Sequence, residues 1–270
     1  MKKLILPFAI IAIFIAVFWY FESPLLDHFH FHQENVIPKR ESDDVKNILK
    51  GITDFRKNLS EDYKDLFSKL KNHQDPDTLF ICCSDSRIVP SLISSSNPGE
   101  AFVLRNVGNI IPAYTFSLED NSAPAAIDYA VNVLNITDVV LCGHSDCGAM
   151  KAVREGLDNL SNTHLKAWLE NAEDALITID DENTEKTNAP EINEISKQNV
   201  LLQIEHLKTY PSIKSRIDDN KLSIHGLWFD VGNAEVYYYD PTSSEFVLID
   251  ENKAEELLQR LKQKAESLDS

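Results

Sequence analysis

Five stretches of the chain run apolar and β-branched between polar turns and read as strands: TLFICC (78–83), AFVLR (101–105), DVVLCG (138–143), LSIHGLWFDV (222–231) and AEVYYYD (234–240). Between the earlier ones, apolar positions recur at helical spacing near 124–134 and 147–156. Ahead of the first strand, Val45, Ile48, Leu49, Ile52 and Phe55 mark one helix after a candidate cap at Ser42, and a second helical stretch lies near 63–70. Strand and helix alternate, which predicts an α/β fold with a mainly parallel central β-sheet flanked by helices. In such sheets, sites gather at the carboxyl ends of the strands, and two cysteine-bearing strands end there in polar residues. The acidic stretch IDDENTEKTNAPEINE (179–194) reads as an exposed loop.

The N-terminal pattern is different in kind. After Met1, Lys2 and Lys3, residues 4–21 (LILPFAIIAIFIAVFWYF) carry no charge, and as a helix they span about 27 Å, one bilayer core. The bulky end Val17-Phe18-Trp19-Tyr20-Phe21 lacks the small-x-small site of a cleaved signal peptide, so the run reads as an N-terminal transmembrane helix, a signal anchor. Lysines before the span and Trp19 and Tyr20 at its far end place 1–3 in the cytoplasm and the rest outside, in the periplasm of a bacterium. The alternative is a cleaved signal peptide and a soluble periplasmic protein. Residues 22–40, with Pro24 and Pro38, read as a linker, and 41–270 as one folded domain. His28, His30 and His32 share one face of an extended chain and suit weak metal binding, although a solvated tether is the commoner meaning of such a run.

The composition narrows the function. A net charge of −17 and a pI near 4.8 exclude a nucleic-acid partner, since no basic stretch can neutralise a row of phosphates. The chemistry concentrates in FICCSDSRIVP (80–90) and VVLCGHSDCGAM (139–150). His144 and Cys147 stand three apart just after a strand and, with Cys83, give a Cys2His set: soft thiolates and an imidazole that suit zinc and leave one tetrahedral position open. On spacing alone, buried or incidental residues explain H-x-x-C more often, and a surface ion pair explains Asp85-x-Arg87.

Taken together, CSDSR (83–87), GHSDCGAM (143–150), PGEAFVLRNVGNIIP (98–112), SAPAAIDYAV (122–131) and the distal NVLLQIEHLKTYPSI through LSIHGLWFDVGNAEVYYYD resemble the β-class carbonic anhydrases, over about residues 43–240. The resemblance implies one Zn2+ per subunit on Cys83, His144 and Cys147, with water or hydroxide as fourth ligand. It also implies reversible hydration of CO2 to bicarbonate and a proton. Two thiolates cancel the formal charge of Zn2+ and weaken it as a Lewis acid, so neighbouring groups must help. In the family the aspartate, here Asp85, orients the zinc-bound hydroxide while paired with the arginine, here Arg87, whose planar fork keeps it ionised and off the metal.

The same resemblance carries Gln74 over as a donor to CO2 or bicarbonate, and Phe102, Val107 and Tyr129 as the apolar wall of the pocket. Without it these aromatics read as core. In the family the pocket lies at a subunit interface, so the expected partner is a second copy, in a homodimer or higher homo-oligomer. His73 is a candidate for passing the proton to buffer. Cys82 and Cys142 read as buried substitutes with nothing to pair them. Phe80 stands where one branch of the family has a tryptophan that serves an inhibitory bicarbonate site; this departure, with Gln74, implies the open, non-allosteric branch. The alternatives are a hydrolase of carbonyl sulfide or carbon disulfide on the same fold, and a noncatalytic, membrane-tethered zinc-binding module.

Overall fold

Six strands form one sheet in the order β2-β1-β3-β4-β5-β6: β1 Thr78–Cys83, β2 Ala101–Asn106, β3 Asp138–His144, β4 Ser223–Asp230, β5 Glu235–Asp240 and β6 Glu245–Leu248. The computed structural model describes residues 44–114, 122–177 and 191–268. The run 4–21, the linker with its three histidines and the cap at Ser42 lie outside these residues. Among the described residues no helix is long and apolar enough to cross a membrane.

The sheet is mixed, with three parallel pairings and two antiparallel ones. β2, β1, β3 and β4 run parallel to their neighbours, while β5 and β6 are added antiparallel. Both antiparallel joints are tight turns made by side chains: Asp230 Oδ1 accepts from the Gly232 amide, and Asp240 Oδ1 accepts from that of Thr242. β6 has only four residues, too few to show an alternation in sequence; pairing with β5 decides it.

The parallel strands are covered on both faces, which is why β1 and β3 read as unbroken apolar runs. Leu79, Ile81, Val139 and Leu141 pack with Ile127, Val200 and Leu207 on one face. Phe80, Cys82 and Cys142 pack with Ile88 on the other. Side chains alternate along a strand, so Cys82 and Cys83 point to opposite faces although they are adjacent.

The described residues divide into two units, the first ending at Ser60 and the second beginning at Glu61. The first contains helix α1, Asp44–Asn58, whose stripe Val45, Ile48, Leu49, Ile52 and Phe55 is exposed. The second opens with α2, Glu61–Leu70, and holds the sheet. Its helices include α3 (Ser122–Asp128, continued as a wider turn through Val133), α4 (Gly148–Glu155), α5 (Thr163–Leu169), α6 (Ile192–Lys208), α7 (Pro211–Asp218) and α8 (Glu251–Leu268). α6 takes in Ile192–Glu194, the end of the stretch expected as loop, because Glu191 adopts the extended conformation of a helix N-cap. α6 lies close against β3: a Cβ at Gly143 would sit 2.7 Å from Val200 Cγ2, so this crossing needs glycine.

Candidate metal centre and its surroundings

β1 and β3 are neighbours, and Cys83 and His144 are the last residues of each strand. The chain beyond His144 turns through Asp146, at φ +53°, into α4, with Cys147 at the N-cap of that helix. This brings Cys83 Sγ, a His144 ring nitrogen and Cys147 Sγ within 4.8 Å of one another, all buried. His144 Nδ1 lies 2.9 Å from Ser145 O, and a carbonyl can only accept, so Nδ1 carries the proton and Nε2 keeps its lone pair. Nε2 is buried without a hydrogen-bond partner. A buried lone pair facing two sulfurs suits a cation, and this donor set fits zinc.

The electrostatics agree. Hydrogen bonding from Cys147, aided by the amides of Asp85 and Gly108, outweighs burial and pulls the Cys83 thiol down to about 4, toward the thiolate a metal needs. The same bond to Cys83, together with burial, pushes Cys147 up. Cys82 is pushed up to about 11 by burial and stays a neutral thiol on the far face. It stands directly opposite Cys142 across β1 and β3, a pairing of free thiols that the sequence did not suggest.

Asp85 lies just past the end of β1, its Oδ2 4.0 Å from His144 Nε2. Arg87 grips it through three donors: Nε to Oδ1 at 2.9 Å, Nη2 to Oδ2 at 2.8 Å and the backbone amide to Oδ1 at 3.0 Å. These bonds hold the Asp85 carboxyl well below the usual carboxylate range. Arg87 also donates to Asp146, to Oδ2 at 3.2 Å and the backbone carbonyl at 3.1 Å, tying the two ligand-bearing loops together.

The expected pocket residues fall into two places. Val107 follows β2 beside Gly108, whose amide meets Cys83 Sγ. Phe102 instead opposes Leu79, four positions before the Cys83–Asn106 pair and about 13 Å away along the strands. Phe102 stacks on Tyr129 with ring centroids 5.6 Å apart, and Tyr129 lines a cavity of about 540 Å³ with His73 and Gln74. A single chain therefore does not bring Gln74, Phe102 and Tyr129 to its own metal ligands.

The sequence reading missed the supports of the site. α6 presents a row of polar residues to it: Asn193 Oδ1 accepts from the Asp146 amide, Ser196 Oγ donates to His144 O, Asn199 Nδ2 to Gly108 O, and Gln203 Oε1 accepts from the Ile111 amide. Ser196, Asn199 and Gln203 are at most 1% exposed. Their spacing among Ile195, Val200 and Leu207, polar residues on the apolar face of one helix, is the signal that marks them.

A buried Cys-His-Cys set with a clamped carboxylate beside it, at the carboxyl ends of parallel strands, defines a mononuclear zinc centre of the open, catalytic kind. A family profile described as carbonic anhydrase matches residues 78–236. A carbonic anhydrase of Synechococcus elongatus is 39% identical over 77% of this chain and 76% of its own length, and one of Pseudomonas aeruginosa 35% identical over 77% and 93%. The solved β-carbonic anhydrase CcaA matches at 36% identity and a TM-score of 0.70, over 77% of this chain and 92% of its own. A tetrameric β-carbonic anhydrase of Sordaria macrospora matches at 30% and 0.59, over 72% and 93%. The chain belongs to the β-class carbonic anhydrases, and its reaction is the zinc-dependent hydration of CO2.

Proposed function

We propose that Asp85 and Arg87 form the catalytic pair, that Cys83, His144 and Cys147 hold the zinc, and that a second copy of the chain completes the substrate pocket. The three-donor grip of Arg87 on Asp85 carries the reading, because a purely structural metal site has no use for an ionised, oriented carboxylate next to an imidazole ligand.

When bound, the zinc supplies a Lewis acid that makes water nucleophilic near neutral pH. The chain does the rest. Asp85, kept ionised by Arg87, accepts the O–H of the attacking water and aims its oxygen at carbon. Val107, Phe102 and Tyr129 form the apolar wall that a linear, nonpolar substrate favours. The Gln74 amide donates to the oxygen that gains charge as the C–O bond forms. His73, in the same cavity as Gln74, takes the released proton toward solvent.

The distance between the Gln74 group and the metal ligands of one chain supports a shared site. Mixing a Cys83→Ala chain with a Gln74→Ala chain tests it: after subunit exchange, half of random dimers are hybrids with one intact site, restoring about a quarter of wild-type activity. A mixture no more active than its components would place the whole pocket within one chain. Side-by-side assays with CO2 and carbonyl sulfide separate this activity from hydrolysis on the same fold.

The uncharged run 4–21 supports a membrane-anchored enzyme with its catalytic domain on the periplasmic side. Full-length protein should then resist carbonate extraction. A mature N-terminus just after residue 21, on protein free in solution, would favour the cleaved alternative.

A further inference from the structure

The peptide joining Val107 to Gly108 is bonded at both ends. Its carbonyl accepts from Trp168 Nε1, on α5, at 2.7 Å, and its N–H donates to Cys83 Sγ at 3.4 Å. One peptide group thus connects an indole 61 residues away to a metal-ligating sulfur.

The loop around this peptide is fixed from several sides. The next carbonyl, Gly108 O, accepts from Asn199 Nδ2 at 2.9 Å, and Asn199 Oδ1 is held by Gln203 Nε2 at 3.0 Å. Asn106 closes the loop with its own amide, accepting from the Ile110 N–H at 2.8 Å and donating to Ile110 O at 2.7 Å. Gly108 and Asn109 are both left-handed, at φ +78° and +48°, and a Cβ on Gly108 would meet Ala149 Cβ at 2.9 Å. Consecutive left-handed residues are costly, and here the result is a single N–H aimed at sulfur.

We propose that Trp168 is a positioning residue of the metal centre, which by bonding the Val107 carbonyl orients and polarises the Gly108 N–H and so sets how much negative charge Cys83 offers the metal. The proposal rests on Cys83 being a zinc ligand. Two thiolates leave zinc a weak Lewis acid, and every N–H given to a thiolate withdraws part of that charge. Cys83 has two such donors, the amides of Asp85 and Gly108, both at 3.4 Å. Among the described residues only the Gly108 amide of the two sits in a peptide whose carbonyl takes a side-chain hydrogen bond, and hydrogen bonds in series strengthen one another.

Trp168→Phe keeps the aromatic packing and removes the donor. In the Co(II)-loaded protein the thiolate-to-cobalt charge-transfer band should move to lower energy in the variant, with cobalt bound and the circular dichroism spectrum unchanged. A band at the wild-type energy in a folded, loaded variant overturns the proposal. The unmodified protein gives a second measurement: with glycine nitrogen-15 labelling and 113Cd in the site, the Gly108 amide proton should show coupling to cadmium across the N–H···S bond. Its absence overturns the proposal even if Trp168→Phe fails to fold. Failure of the wild type to bind either metal would instead refute the zinc site, and the relay with it.

Discussion

Arg87 holds Asp85 by both carboxylate oxygens and, from the same guanidinium, holds Asp146 across 59 residues of sequence. The arginine is thus fixed between two loops before any substrate arrives. Its role is geometric, so Arg87→Ala should retain zinc and lose about 100-fold in kcat, since Asp85 is freed rather than the metal lost. Arg87→Lys should recover little, because an ammonium cannot reproduce the fork. Zinc content and CO2 hydration measured together check both variants, and a near-wild-type rate in Arg87→Ala refutes the pairing.

Cys83→Ala, His144→Ala and Cys147→Ala should each weaken zinc binding by more than about 100-fold and abolish activity with it. Cys82→Ala is the control. Its side chain points to the opposite face among Phe80, Ile88 and Cys142, so it should keep zinc and activity and cost about 1 kcal/mol of stability. Full zinc retention in any of the first three removes that residue from the ligand set, and zinc loss in Cys82→Ala contradicts the face assignment.

Phe80 is 5% exposed in an apolar cluster with Cys82, Ile88 and Cys142, and it offers no N–H to an anion. A ligand can favour a closed state, with Asp85 on the metal, only by binding that state better than the open one. One buried hydrogen bond to a charged group contributes about 1.5–3 kcal/mol, about a tenfold to hundredfold bias. Bicarbonate should therefore act as substrate or product alone, and rate against bicarbonate should show no cooperative inhibition. Steep inhibition, with Asp85 on the metal in the bound structure, would contradict this.

Asp240, at the end of β5, fastens the C-terminal helix: Lys253 Nζ reaches it at 2.8 Å and Arg260 Nη1 at 3.2 Å. Lys253 first, then the Thr242 amide, hold its carboxyl well below the usual range. A carboxyl with a depressed folded pKa stabilises the fold fully above its unfolded value, about 3.9, and loses that contribution as pH falls below it. Asp240→Asn should speed amide hydrogen exchange across 251–268 at neutral pH, and the difference from wild type should shrink below about pH 4. Equal exchange at pH 7 would show that the helix does not depend on this residue.

The sequence by itself determined the parts of this protein that are local. The apolar runs set β1 and, to within a residue at their carboxyl ends, β2 and β3. The zinc ligands and the Asp85–Arg87 pair were legible because they sit in two short motifs at the ends of strands and keep the order of a known family; spacing alone left them open.

Tertiary structure decided whatever depends on register and packing between distant segments. It set Cys82 opposite Cys142, paired β6, and put Phe102 about 13 Å along the sheet from Cys83. It also gave roles to Trp168, Ser196, Asn199 and Gln203. Buried strand ends and loops leave backbone N–H and C=O groups that must find partners, and the nearest donors and acceptors come from helices 52 to 92 residues away in the chain. No local periodicity records such a debt, because a polar residue that satisfies a distant carbonyl looks in sequence like a flaw in an apolar face.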